Sequence, residues 1–556
     1  MTNKLFCAKK AYSKVCDFHS FSVSLQIVLQ NVLLLSSFLL LSVPVAAEDS
    51  LPVIEVKADR TLIYPQRMEL EGEETLMDIL QMMPSLMIAG YEDVITNYNL
   101  RIDNCAINVD TRLVISQMKA KDIAKIQVCD NTGVAKGTIG MNKVLDIYLK
   151  MPDAWQGFVE GQGAAGKKFE GIATANTLYG SKHTDLFANI SYRHQDVNEE
   201  YLSLHMTNRF DDRNRLLTFF TQQYLDRPSG TSRKVMGRAR FFHTFNDRGT
   251  ELLLVSGYHY ASDLLISNKQ PMFIAELNTP LLSDRLSMML GVEGCYLMTS
   301  LKDTDWKWNV INHDIYLQFT YSLPKWRLTI GNRVMFYNYK LMDASTCQRH
   351  ADVRDNANAN IIYIPDNRNQ IHLGYFRKYY NPVYEATAME SNMLSDEQWA
   401  ITRGKLEERT IHQTKLSHVY SRQKLTVQTE ASYYMIEDGE NFMELGASAY
   451  WKTNWMSMTG GSNLYTARSE TYASFRLAPT AFLPHQWQIG AQIVYYTKKS
   501  PRREVTGVPV YGCLSVNKQF GRKWNLTVDW HDMFDASCSD ALVNRHAVNM
   551  KLQYRF

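Results

Sequence analysis

The glycine run Gly161-Gln162-Gly163-Ala164-Ala165-Gly166, followed by Lys167-Lys168, matches the GxGxxG pattern with which a turn can cradle a phosphate. That chemistry needs a helix next, so that its N-terminal amides face the anion. Phe169 to Tyr179 instead reads as a strand closed by Gly180, and the run is better placed in a hairpin. The 14 histidines, among them His243 and His259, show no ligand spacing on a shared face, so no metal site is expected. Glu199-Glu200 and Glu407-Glu408 fall at turns or loop edges, where carboxylates are solvated rather than poised for acid–base work. No GxSxG elbow is present. No catalytic residue and no cofactor are therefore expected.

Cysteine and charge narrow the classes further. Lys4, Lys9, Lys10 and Lys14 precede an apolar run from about Leu25 to Val45, and Val45-Ala46-Ala47 lies before Glu48, the pattern of a cleavable signal peptide over residues 1–47. An uncleaved anchor is the alternative, since the run approaches spanning length. Removing residues 1–47 takes away four lysines and Asp17. The 60 basic and 57 acidic residues become 60 − 4 = 56 and 57 − 1 = 56, a mature net charge of zero that argues against nucleic acid as a partner. Six cysteines remain without a CxxC. In an oxidising compartment Cys105 could bridge Cys129, and Cys347 could bridge Cys538, although spacing does not fix the pairing.

The elements that must position these side chains are strands. In the last segment Val548, Met550, Leu552, Tyr554 and Phe556 alternate with Asn549, Lys551, Gln553 and Arg555, giving one apolar and one polar face. Trp524, Leu526, Val528 and Trp530 alternate in the same way, as do Leu186 to Arg193 and Trp487 to Tyr495. Short turn signals separate many segments: Gly180-Ser181-Lys182, Asp211-Asp212-Arg213-Asn214, Asn246-Asp247-Arg248-Gly249, Pro365-Asp366-Asn367-Arg368 and Gly521-Arg522-Lys523. The mature chain has no twenty-residue apolar helix span, so lipid would have to be met by a closed barrel. About 22 antiparallel strands over residues 151–556 are expected. All five turns then fall at one end, and the long gaps 341–356, 381–405 and 533–545 fall at the other.

Residues 48–150 have a different texture. Leu51 to Arg60 is a short β-branched stretch suited either to pairing with another protein's sheet edge or to opening this same domain. Thr75 and Asp78 start a helix whose face is Leu76, Ile79, Leu80 and Met83, and Pro84 stops it. A second short helix near Lys119 to Ala124 leads into Lys125-Ile126-Gln127-Val128, and Val144 to Lys150 closes the segment as a strand. A small α+β unit is expected over residues 61–150.

These residues carry a resemblance. Thr75 to Pro84, with Leu76, Ile79 and Leu80, then Lys121 to Val128, with Ile123, Ile126 and Val128, and the run from Gly137 to Lys150 are similar to successive signatures of the plug domain of TonB-dependent outer-membrane receptors. Within that group the chain resembles most the outer-membrane β-barrel family common in the Bacteroidetes. Leu51 to Arg60 resembles the TonB box, over residues 48–60. Asp532-Met533-Phe534-Asp535 is similar to a motif near the last strand, and Tyr554 with the terminal Phe556 resembles a barrel assembly signal. Ser85 replaces the usual Gly, and Asn142-Lys143 interrupts the closing run of isoleucines.

The resemblance implies a membrane all-β protein of the Gram-negative outer membrane, with the plug in the barrel lumen. It implies that a scarce small solute of unknown identity is bound by outer loops, where Arg349, His350 and Glu385 are candidates, and imported. Val53, Ile54, Glu55 and Val56 would pair with a TonB-type energy-coupling protein. Outer-membrane lipid and the barrel assembly machinery are the other implied partners. A structural or adhesive barrel that has lost transport is the competing expectation. A barrel lipase or protease would need a nucleophile and base convergent at one rim, and the sequence shows no such grouping.

Overall fold

The computed structural model describes residues 54–57, 60–67, 76, 79–80, 98–102, 105–106, 115, 118–129 and 143–150. From 154 to 555 it describes all but the connections 166–168, 195–197, 229, 263–265, 282–284, 303–306, 343–346, 367, 381–408, 423–424, 437–440, 454, 468–469, 498–509, 522 and 531–547. The signal-peptide expectation and Val53, Pro84, Cys538, Glu385 and Phe556 lie outside the described residues.

Twenty-two antiparallel strands, from Gln156–Ala165 to Val548–Arg555, close into one barrel. Closure runs through the first and last strands, from Val548 opposite Ala165 to Arg555 opposite Phe158, so no backbone edge is left to lipid. The alternation read in the last strand has the expected physical meaning. Val548, Met550 and Leu552 are 46%, 59% and 47% exposed on the outer face, whereas Gln553 is 1% exposed inside. Gly161 and Gly163 sit within the first strand, with strand Phe169–Gly180 paired to it, so Gly161 to Ala165 form one arm of a hairpin.

The connections divide by length. Those at one end are short, and two of them share a device. Asp211 Oδ1 accepts the amides of Arg213 and Asn214 at 2.8 and 2.7 Å, and Asp366 Oδ1 accepts those of Arg368 and Asn369 at 2.7 and 2.8 Å. Hydrogen bonds from the Asn214 side chain and the Arg213 amide hold the Asp211 carboxyl below the usual carboxylate range. The Arg368 amide and the Asn369 side chain do the same for Asp366. Gly249 (φ 86°) and Gly521 (φ 63°) supply left-handed corners in two other turns.

The longest connections, 381–408, 497–509 and 531–547, all leave the opposite end, which makes that end extracellular. The expected outer gap 341–356 is corrected. Strands Trp326–Met342 and Cys347–Tyr363 pair from Trp326 opposite Tyr363 to Met342 opposite Cys347, and only 343–346 connect them. Polar residues on both faces of 348–356 hid this strand, because it has no apolar stripe to read. Cys347 lies at its outer end as an exposed free thiol.

Aromatic side chains ring the outer surface near the short-turn end. Trp155, Phe210, Phe245, Trp326, Trp455, Trp487, Phe520 and Trp524 are all exposed there, as expected where strands pass from hydrocarbon to headgroups. Two glycines in strand Leu286–Leu301 admit aromatics, one on each face. The Tyr316 ring occupies the place of a Gly291 Cβ on the inner face, and Phe273 that of a Gly294 Cβ on the outer.

A six-stranded sheet precedes the barrel in sequence. Its strands are β1 (Ile54–Lys57), β2 (Arg60–Ile63), β3 (Tyr98–Ile102), β4 (Cys105–Ala106), β5 (Ile123–Cys129) and β6 (Lys143–Leu149), in the order β1-β2-β5-β6-β3-β4. Leu76, Ile79, Leu80, Ile123, Ile126, Val128 and Ile147 form its buried core. Where a helix was expected over Lys119 to Ala124, the chain makes only the 3-10 turn Ala120–Asp122 before β5 begins. The β-branched Ile123 and Ile126 draw that stretch into the sheet.

Candidate functional site: the lumen and the inner sheet

Tyr201 and Tyr450 join the core of the six-stranded sheet from strands Asn198–Arg209 and Phe442–Lys452, which stand on nearly opposite sides of the barrel. The sheet therefore reaches both walls of the lumen. Its firmest polar tie is Lys119 Nζ, which donates to Glu160 Oε2 at 2.6 Å, with the two side chains 1% and 6% exposed. Glu160 belongs to the first barrel strand, and the Phe158 ring two residues away lies 5.6 Å from Lys119 Nζ and 5.5 Å from Lys121 Nζ.

The segment that presents Lys119 is braced from three directions. The Met118 carbonyl accepts the Leu76 amide at 2.7 Å, the Asp122 carbonyl accepts the Lys150 amide at 2.8 Å, and the Ile123 carbonyl accepts Gln66 Nε2 at 3.2 Å. Burial pushes the Asp122 carboxyl up to about 6, outweighing the opposing pull of Lys121, Lys119 and Lys150. Burial also lowers the Lys121 ammonium from its ordinary value, against Asp122 and Glu160.

The inner wall is polar, as a water- or protein-facing wall must be. Arg333 Nε donates to Asp314 Oδ2 at 2.6 Å and its Nη2 to Glu293 Oε2 at 2.6 Å, while Tyr316 Oη donates to Glu276 Oε2 at 2.9 Å. These residues span four neighbouring strands. Lys415 pairs with Glu430 at 2.9 Å further round. Such pairs hold the wall's charges in fixed places and set its shape. No grouping of side chains able to hold a metal ion occurs among the described residues.

The sequence-marked residues fall in four places. Ile54, Glu55 and Val56 form β1, opposite Ile63, Leu62 and Thr61 of β2. β1 is the last strand of its sheet, and no strand pairs its other side among the described residues. Leu76, Ile79, Leu80, Ile123, Ile126 and Val128 all enter one core. Tyr554 packs on Trp524 at 4.9 Å in the aromatic ring of the short-turn end. Arg349 is exposed at the outer end of its strand. Sequence reasoning missed Lys119, Glu160, Tyr201 and Tyr450. The one signal for Glu160 was that it is the only charged residue of its strand.

No family model matches the chain, and no curated protein matches it. Solved structures do. The siderophore receptor PirA from Pseudomonas aeruginosa is 12% identical with a TM-score of 0.66, over 90% of this chain and 100% of that one. The alcaligin outer-membrane receptor FauA from Bordetella pertussis gives 11% and 0.63, over 90% and 95%. The FrpB iron transporter from Neisseria meningitidis gives 10% and 0.65, over 90% and 99%. The chain shares the fold of these TonB-dependent receptors, with a closed barrel of 22 strands.

Proposed function

We propose that the protein is an outer-membrane receptor that imports a scarce small solute through a barrel plugged by its inner sheet, residues 61–150 forming the plug and 151–556 the barrel. The observation that carries this reading is the inner sheet tied to the wall by Lys119–Glu160 and packed against Tyr201 and Tyr450. A 22-stranded barrel encloses a lumen too wide for wall side chains to seal. A sheet held there closes it, and uptake then requires the sheet to move.

The work for that movement would enter through β1. An edge strand can accept a further strand from a periplasmic partner of the TonB type, and backbone hydrogen bonds in such a pair resist pulling. Tension on β1 passes through β2 to β5, next to Lys119. The similar structures named for siderophores and iron make an iron chelate the first solute class to examine.

Deleting residues 54–57 tests the reading. Uptake of the growth-limiting solute should fall to the background of cells lacking the protein, with the folded barrel still present in the membrane. Undiminished uptake after the deletion would instead favour a barrel that has lost energised transport.

A further inference from the structure

The short-turn rim is divided by charge. On one side, three arginines of neighbouring strands are matched by acids: Arg209 pairs with Asp185, Arg213 with Asp247 at 3.2 Å and Arg215 with Glu251 at 3.0 Å. In the half from residue 409 to 556, the strand ends and turns bring Arg422, Lys452, Lys518 and Lys523 to the same end, and the sequence of the stretches 420–426, 450–457, 482–488, 517–525 and 552–556 holds no Asp or Glu.

Within this basic half, two lysines stand on the lipid side. Lys518 is the register partner of the outward-facing Trp487, and its Nζ lies 5.1 Å from the Trp487 ring and 5.8 Å from the Phe520 ring. Lys523 Nζ lies 5.7 Å from the Tyr554 ring, which itself packs on Trp524. Neither lysine has a carboxylate partner among the described residues. The Lys518 ammonium instead donates to the His485 carbonyl, presented by a turn in which His485 and Gln486 hold φ of 63° and 62°. Non-glycine residues adopt that conformation in strained turns, so the carbonyl is aimed rather than free to turn away.

We infer that Lys518 and Lys523, framed by Trp487, Phe520, Trp524 and Tyr554, bind the phosphate of an anionic phospholipid headgroup in the periplasmic leaflet. The indole and phenol rings suit the boundary between hydrocarbon and headgroup, at the edge of the exposed apolar band. The two ammoniums are thereby set at headgroup depth, and a lipid phosphate supplies the negative charge that this half of the rim lacks. The site lies beside the closing strands Trp524–Trp530 and Val548–Arg555, where a bound lipid would cover one of the barrel's shorter pairings.

The test uses the full chain reconstituted in phosphatidylcholine vesicles containing a minor fraction of brominated phosphatidylglycerol or, in parallel, brominated phosphatidylcholine. Tryptophan quenching should favour the brominated phosphatidylglycerol. In K518Q/K523Q the preference should fall by about fivefold for each lysine, while K518R/K523R and the paired-half variant R213Q/R215Q keep it. Equal quenching by the two lipids in the native protein would overturn the assignment, and so would an undiminished preference in K518Q/K523Q. Loss in R213Q/R215Q as well would reduce the effect to general basicity. Displacement by inorganic phosphate at matched ionic strength would show a free-anion site instead of a lipid one.

Discussion

Lys119 of the inner sheet and Glu160 of the first barrel strand form a buried ion pair at 2.6 Å. Glu160 is also the register partner of Gln553 in the last strand, so the pair stands on the seam that closes the barrel. Removing one member strands the other charge in a buried site, which costs roughly 3–5 kcal/mol, whereas replacing both with apolar residues of similar volume is close to neutral. Glu160→Gln should therefore loosen the inner sheet, and Lys119→Met with Glu160→Leu should restore it. Hydrogen exchange of the β5 amides distinguishes these outcomes. If the pair contributes nothing, the single and double variants will exchange alike.

Asp122 gives the same segment a pH dependence. Its carboxyl is pushed up to about 6 from an ordinary value of 3.8, chiefly by burial, so the folded sheet binds the proton more tightly than the unfolded chain does. Stability is then highest below the ordinary carboxylate range and falls as pH rises through about 6. A shift of this size corresponds to a penalty of up to about 3 kcal/mol at neutral pH. Asp122→Asn should raise the protection of β5 at pH 7.5 and flatten its slope between pH 4 and 6. Exchange rates corrected for intrinsic pH dependence provide the measurement, and an unchanged slope in the variant would refute the assignment.

Gly291 and Gly237 separate packing from backbone freedom. A methyl at Gly291 would fall within the Tyr316 ring, whereas one at Gly237 meets nothing within 4 Å. Moving Tyr316 also breaks its hydrogen bond to Glu276. Gly291→Ala should destabilise the barrel by about 1–3 kcal/mol, and Gly237→Ala should leave it unchanged or slightly stabilised. Urea unfolding in detergent, followed by tryptophan fluorescence, reads both.

The barrel was legible because its chemistry repeats. Trp524, Leu526, Val528 and Trp530 announce a lipid face by alternation alone, and the Asp-x-x-Asn turns mark where the chain reverses. Strand Cys347–Tyr363 escaped because Arg349 to Asn356 carry polar groups on both faces, where period two leaves no trace. The core of the inner sheet was visible in Leu76, Ile79 and Leu80. Its tie to the wall was not, since Lys119 and Glu160 are forty-one residues apart and only the fold brings them together. Tyr201 and Tyr450 were hidden for a related reason: an inward tyrosine reads the same whether it meets water or a protein core.

The last strand offers the sharpest check that the outer face meets lipid. Met550 is among the most exposed apolar side chains of the barrel, while its neighbour Asn549 points to the other face, opposite Ala164 and Asp529. A lysine on the lipid side costs up to roughly 2–4 kcal/mol near the bilayer midplane and much less near an interface, whereas one facing the lumen stays hydrated. Met550→Lys should thus lower the amount of heat-modifiable, folded barrel in outer membranes, and Asn549→Lys should not. Both substitutions place one extra positive charge in the same closing strand, so general effects of charge on export or assembly cancel in the comparison. A soluble sandwich with the same alternation predicts the reverse, because its exposed Met550 would accept a lysine freely and its inward Asn549 would not. Equal yields of the two variants would remove the distinction between the faces on which the membrane reading of this strand rests.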